Sequence, residues 1–126
     1  MAEADAPRTL SVVLDEQLDL RLRHHFGPGV RVETAQYRGW KGLVNGALMR
    51  ALAAAGDVDV FVTGDQGIPD QQPVPALPFA VVVLRTHGDL ALDNLLPLMA
   101  AVRRLLPALR PGTVTWVDRP PGGRPV

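Results

Sequence analysis

The chain has 126 residues, 47% of them hydrophobic, which is enough for one domain with its own core and too little for two. Its 13 Lys and Arg residues balance 13 Asp and Glu, so a broad basic surface is not expected, although a local basic patch is compatible with that balance. The absence of cysteine excludes disulfides, thiolate metal sites and cysteine nucleophiles.

Residues 1–9, MAEADAPRT, are acidic, lack the basic-then-apolar layout of a signal peptide and read as a flexible tail. Leu10–Leu14 (LSVVL) is a β-branched run that stops at Asp15 and Glu16, as expected for a strand covered on both faces. Leu18, Leu20, Leu22 and Phe26 then suggest a helix of about two turns, stopped by Gly27-Pro28-Gly29. Val30–Thr34 (VRVET) alternates as a second strand. A glycine-bearing loop over Tyr37–Gly42 leads to a helix over Leu43–Ala55, ended by Gly56. Val58–Thr63 is a third strand, terminating in Gly64-Asp65-Gln66-Gly67, and the proline-rich stretch Pro69–Pro78 is expected to be irregular.

Phe79–Leu84 is a fourth strand. It is also the longest apolar patch, too short to span a bilayer, so a cytoplasmic protein without a membrane partner is expected. Asp93–Leu106 carries a wide apolar stripe at helical period, and Thr113–Val117 makes a fifth, edge strand. Residues 118–126 end the chain as a second flexible tail, leaving one domain over residues 10–117 with no internal repeat. Strands alternating with helices predict an α/β fold with a mostly parallel five-stranded sheet and helices on both faces.

Asp15 and Asp65 are each the first acid after a strand. In such a sheet they converge on the edge where ligands bind, separated by one or two strand spacings of ~5 Å. Carboxylates that close repel unless a cation or proton lies between them, and oxygen ligands without His or Cys point to Mg²⁺ or Mn²⁺. The alternative is that Asp15 caps the following helix and Asp65 caps a turn.

The segments VLDEQL (Val13–Leu18), RGWKGLVNGALM (Arg38–Met49), VFVTGDQGIPDQQ (Val60–Gln72) and FAVVVLRT (Phe79–Thr86) together resemble the DUF5615 family of PIN-like proteins. The resemblance runs from about Leu10 to Val117. It implies a three-layer α/β/α PIN-like fold and a metal-dependent ribonuclease that cuts RNA through activated water, in some members as the toxin of a toxin–antitoxin pair. Asp15 matches the family's first acid and Asp65 the acid of its T-x-D motif, followed by Gln66. Where PIN nucleases carry an acid on the helix after the second strand, this chain has Asn45, which can ligate a metal through its carbonyl oxygen. Glu16, Asp70, Asp89 and Asp93 are the remaining candidate metal ligands. With that acid replaced, a catalytically weakened binding or interaction module is the alternative function. RNA, an antitoxin protein and a second copy of the chain are the partners implied.

For RNA contacts, Arg85 just past the fourth strand is the first candidate. Trp40 could stack a base with Arg38 and Lys41 as phosphate partners, or anchor its loop over the sheet. His87 lies near the same edge. His24 and His25 diverge by ~100° on a helix and make a poor metal pair, and Arg103, Arg104 and Arg110 are expected to solvate the last helix. No Ser-His-Asp arrangement, phosphate loop or dinucleotide glycine motif is present.

Overall fold

Short apolar runs separated by helical segments need a sheet buried on both sides, and the computed structural model, which describes residues 9–118, has that architecture. Strands β1 (Leu10–Leu14), β2 (Val30–Thr34), β3 (Val60–Thr63), β4 (Ala80–Arg85) and β5 (Val114–Asp118) form one sheet, parallel throughout, in the order β2-β1-β3-β4-β5. The expected tails lie outside the described residues apart from Thr9 and Asp118, and Asp118 closes β5 instead of beginning a tail.

Because side chains alternate across a strand, the sheet divides its apolar residues between two cores. On one face Val12, Leu14, Val60, Val62, Val82 and Leu84 pack against Leu18, Leu22 and Phe26 and against Leu95, Leu98, Met99 and Val102. On the other, Val13, Phe61, Val81 and Val83 pack against Leu48, Met49 and Leu52, with Ile68, Val74 and Phe79 filling the space beyond. Phe61 and Phe79 meet edge to face, 6.5 Å between ring centroids. The result is an α/β/α sandwich, with helix α1 (Asn45–Ala55) on the second face and the helical run over residues 92–108 on the first.

Several boundaries differ from the sequence expectation for local reasons. Leu20–His25 is a 3₁₀ helix, with Leu18, Leu22 and Phe26 as its buried contacts at four-residue spacing. Helix α1 starts at Asn45 because Val44 is still extended. Strand β3 starts two residues later than expected, and β4 and β5 are each displaced by one. The proline-rich stretch is not wholly irregular. It contains a one-turn helix, α2 (Ile68–Gln71), and a 3₁₀ turn over Val74–Ala76. Pro69 and Pro75 occupy first-turn positions, where a missing N–H breaks no hydrogen bond.

The last helical run begins at Leu92 and continues to Ala108 in four pieces: α3 (Leu92–Leu95), a 3₁₀ turn over Leu96–Leu98, α4 (Met99–Leu105), and a 3₁₀ turn over Leu106–Ala108. Pro97 and Pro107 fall in the two 3₁₀ turns, since neither can donate to the α-helical ladder. Among the described residues no helix is long and apolar enough to cross a membrane.

The approach to β5 is pinned by Gly112, whose φ is +77° and whose missing Cβ would sit 2.8 Å from the carbonyl oxygen of Pro75. Gly29, at φ +75°, has open space around it. Gly29→Ala should therefore lose only the left-handed backbone penalty, about 1 kcal/mol. Gly112→Ala should lose at least twice as much in urea denaturation, because backbone must also move.

Candidate functional site

The order β2-β1-β3 means the chain leaves β1 on one side and returns on the other. The boundary between β1 and β3 is thus the point where the strand order reverses, and ligands in open parallel sheets bind outside the strand ends there. Leu14 pairs with Val62, so the next positions along, Asp15 and Thr63, are neighbours. Alternation puts both on the α1 face, in phase with Val13 and Phe61.

Thr63 is completely buried. Its hydroxyl donates to Asp15 Oδ2 at 2.7 Å and accepts the backbone N–H of Asp65 at 2.9 Å. Asp65 Oδ1 in turn accepts the N–H of Gly67 at 2.9 Å, which folds the chain into α2. One hydroxyl therefore links the two sequence-predicted carboxylates. The T-x-D spacing carried that signal: a threonine two residues before an aspartate can accept its amide.

Asp15 is 7% exposed. Burial is the main force raising its carboxyl above its ordinary value, opposed by the Thr63 hydrogen bond and a backbone hydrogen bond at Glu16; the charges of Asp65 and Glu16 add to the rise. Asp15 does not cap the helix that follows. Asp19 does, accepting the N–H of Arg21 at 3.0 Å, and Arg21 holds the Asp19 carboxyl far below the usual range. Asp65 does serve as a turn cap, through one oxygen.

Both aspartates open into a cavity of about 280 Å³, lined also by Glu16, Gln17, Leu43, Val44, Asn45, Leu48 and Ile68. Glu16 shares the cavity with its neighbour because β1 has ended at Leu14 and strict alternation no longer applies; its Oε1 accepts the N–H of Gly42 at 2.8 Å, tying this acid to the loop before α1. Asn45 stands exposed at the start of α1 with φ +53°, a left-handed conformation that Asn adopts more readily than most residues. Asn45 thus borders the same cavity as Asp15 and Asp65.

Other candidates lie elsewhere. Asp89 Oδ1 accepts from the Ala91 N–H and the Asn94 side chain, bracing the turn into α3, and does not line the cavity. Asp70 and Asp93 are exposed in the first turns of α2 and α3. Arg38 donates to Glu33 at 2.7 Å and to both oxygens of Asp57, and its guanidinium covers Trp40, 5.4 Å from the ring centroid. Trp40 packs on the α1-side core, which is the loop-anchor arrangement. Lys41 is exposed beside Gly42. Arg85 is bidentate with Asp118 and lies over Trp116. His24 is exposed, while the carbonyl of His25 accepts from Arg103.

Among the described residues no three His, Cys, Asp or Glu side chains form a metal-holding group. Two carboxylates with an amide at one cavity mouth nevertheless suit an open, water-rich Mg²⁺ or Mn²⁺ site, since such ions keep much of their hydration and take few protein ligands. No family model, curated protein or solved structure matches the chain.

The raised Asp15 carboxyl has a consequence for stability. The native protein binds this proton more tightly than the unfolded chain, whose carboxyl titrates near 3.8. Below that value the group is protonated in both states and makes no difference; as pH rises through the native value its ionisation removes stability. In metal-free protein, Asp15→Asn should raise the melting temperature at pH 7 and give no such gain at pH 3. Thr63→Val leaves the Asp15 carboxylate and the Asp65 amide without their shared partner, and should lower stability at pH 7 by about 2–4 kcal/mol in chemical denaturation.

Proposed function

We propose that this protein is a metal-dependent ribonuclease of the PIN-like class, with Asp15 and Asp65 as the ligands of one Mg²⁺ or Mn²⁺ ion. The observation that carries the reading is the hydrogen-bonded chain Asp15–Thr63–Asp65 at the β1/β3 boundary, opening into a solvent-accessible cavity. A pair of carboxylates with one of them held protonation-prone by burial is a costly arrangement for stability alone, and a divalent cation would relieve it.

The chain's own residues divide the work. Thr63 fixes the orientation of Asp15, and the Gly67 N–H fixes that of Asp65. Glu16, tied to Gly42, keeps a third negative charge beside the pair without adding a firm ligand. Leu43, Val44, Leu48 and Ile68 contribute apolar surface to the cavity lining. The bound cation would neutralise phosphodiester charge and activate water. In the hydrolysis, water oxygen bonds to phosphorus, the bond to the leaving sugar oxygen breaks, and one water proton ends on that oxygen. A cytoplasmic toxin countered by an antitoxin protein is the biological setting that fits such an activity.

A second reading, a catalytically weakened PIN-like binding module, is favoured by one feature: Asn45 borders the cavity where a further acid would add charge. The two readings part in one experiment. For a nuclease, Asp15→Asn and Asp65→Asn should each reduce Mn²⁺-dependent cleavage of single-stranded RNA by at least a hundredfold while the fold is retained, and Asn45→Asp should tighten Mn²⁺ binding several-fold. Absence of any metal-dependent cleavage by the parent, with Asn45→Asp introducing it, is the result for a weakened module.

A further inference from the structure

Beyond Asp65 the same sheet edge carries a second, shallower cavity of about 350 Å³, lined by Gln66, Arg85, Thr86, His87 and Asp118. It begins one residue from the candidate metal ligand. Its largest flat surface is the guanidinium of Arg85, which donates through Nε and Nη2 to the two oxygens of Asp118. Register explains the pairing: Arg85 and Asp118 are partners at the ends of β4 and β5, and Trp116 is two residues back on the same face. The Arg85 guanidinium carbon lies 4.8 Å from the Trp116 ring centroid, and Trp116 does not line the cavity. Arg85 thus lies over the indole of Trp116 and also lines the cavity.

We propose that this cavity holds one nucleobase of single-stranded RNA, stacked on the Arg85–Asp118 plane. The proposal rests on the ribonuclease reading and names a substrate subsite for it. Three features select a base over a phosphate. Arg85 is already bidentate with a carboxylate, so its charge is compensated and its Nε–H and one Nη2–H are engaged, whereas its π-face remains usable. The Arg85 guanidinium lies over the Trp116 ring in a cation–π contact, a surface on which a further flat group can stack. At the cavity wall, the Gln66 amide and the His87 imidazole offer both donors and acceptors, as a base edge requires. Neither side chain of the stacked pair is deeply buried, with 43% exposure for Arg85 and 46% for Asp118, so the face is reachable.

The test uses the full chain in EDTA, where binding is read without cleavage. Titration with a short oligoribonucleotide should change the intrinsic fluorescence, and the change should be lost in Trp116→Phe. Arg85→Lys keeps the charge but loses the planar fork, and should weaken oligonucleotide binding about tenfold with an unchanged melting temperature. Inorganic triphosphate should neither mimic nor compete with the oligonucleotide. Equal affinity for Arg85→Lys, or competition by triphosphate alone, would overturn the stacking subsite in favour of a charge-only site. Metal-dependent cleavage by a protein whose Trp116 signal ignores RNA also overturns it while leaving the nuclease intact. An RNA-dependent Trp116 signal without cleavage sustains the subsite and removes the nuclease.

Discussion

The hydroxyl of Thr63 is the constraint on which the site depends. It is fully buried at the end of β3, and its two hydrogen bonds reach across to Asp15 and forward to the amide of Asp65. A buried carboxylate needs a donor, and a tight turn needs an acceptor; one side chain meets both needs. Because hydroxyl groups both donate and accept, serine or threonine is the residue type able to do this in so little space. The arrangement also fixes the separation of the two acids through covalent and hydrogen-bonded links, independent of the longer loops around them.

The sheet supplies the rest of the positioning. Parallel pairing brings all five strand ends to one edge, and the β2-β1-β3 order opens a crevice beside β1 and β3. The two cores hold that edge from both sides, with α1 and its Leu48 forming one wall of the cavity. Farther along the edge, the register of β4 with β5 sets Arg85 against Asp118 and lays Trp116 beneath. Two chemically distinct surfaces thus adjoin, one acidic and one carrying a charge-compensated guanidinium.

Much of this was legible in the sequence. The five strands follow from β-branched runs bounded by acids, glycines and prolines, and a mostly parallel sheet from their alternation with helical segments; that every pair is parallel came from the structure. Asp15 and Asp65 could be grouped because strand ends converge in such a fold, whereas Asn45 joined them only through the resemblance to PIN-like proteins. What the sequence concealed were the competing partners. Arg38 and Arg85 read as free cations near the edge, yet each is claimed by a carboxylate distant in sequence, Asp57 and Asp118 respectively. Asp19, not Asp15, caps the first helical turn, a choice between two nearby acids that depends on where the backbone turns. Proline disfavours helix interiors, but at the first turn of a short helix Pro69 and Pro75 cause no loss. Trp116 and Asp118 sat at the margin of the last strand, and only register reveals that they belong with Arg85.

Diffraction from crystals grown with Mn²⁺, using the anomalous signal of the ion, tests the central claim most directly. The account predicts one Mn²⁺ between Asp15 and Asp65, with carboxylate oxygens at about 2.1 Å and water completing an octahedron. Density for the ion elsewhere on the chain, or none between two aspartates that keep their bonds to Thr63 and Gly67, would contradict it.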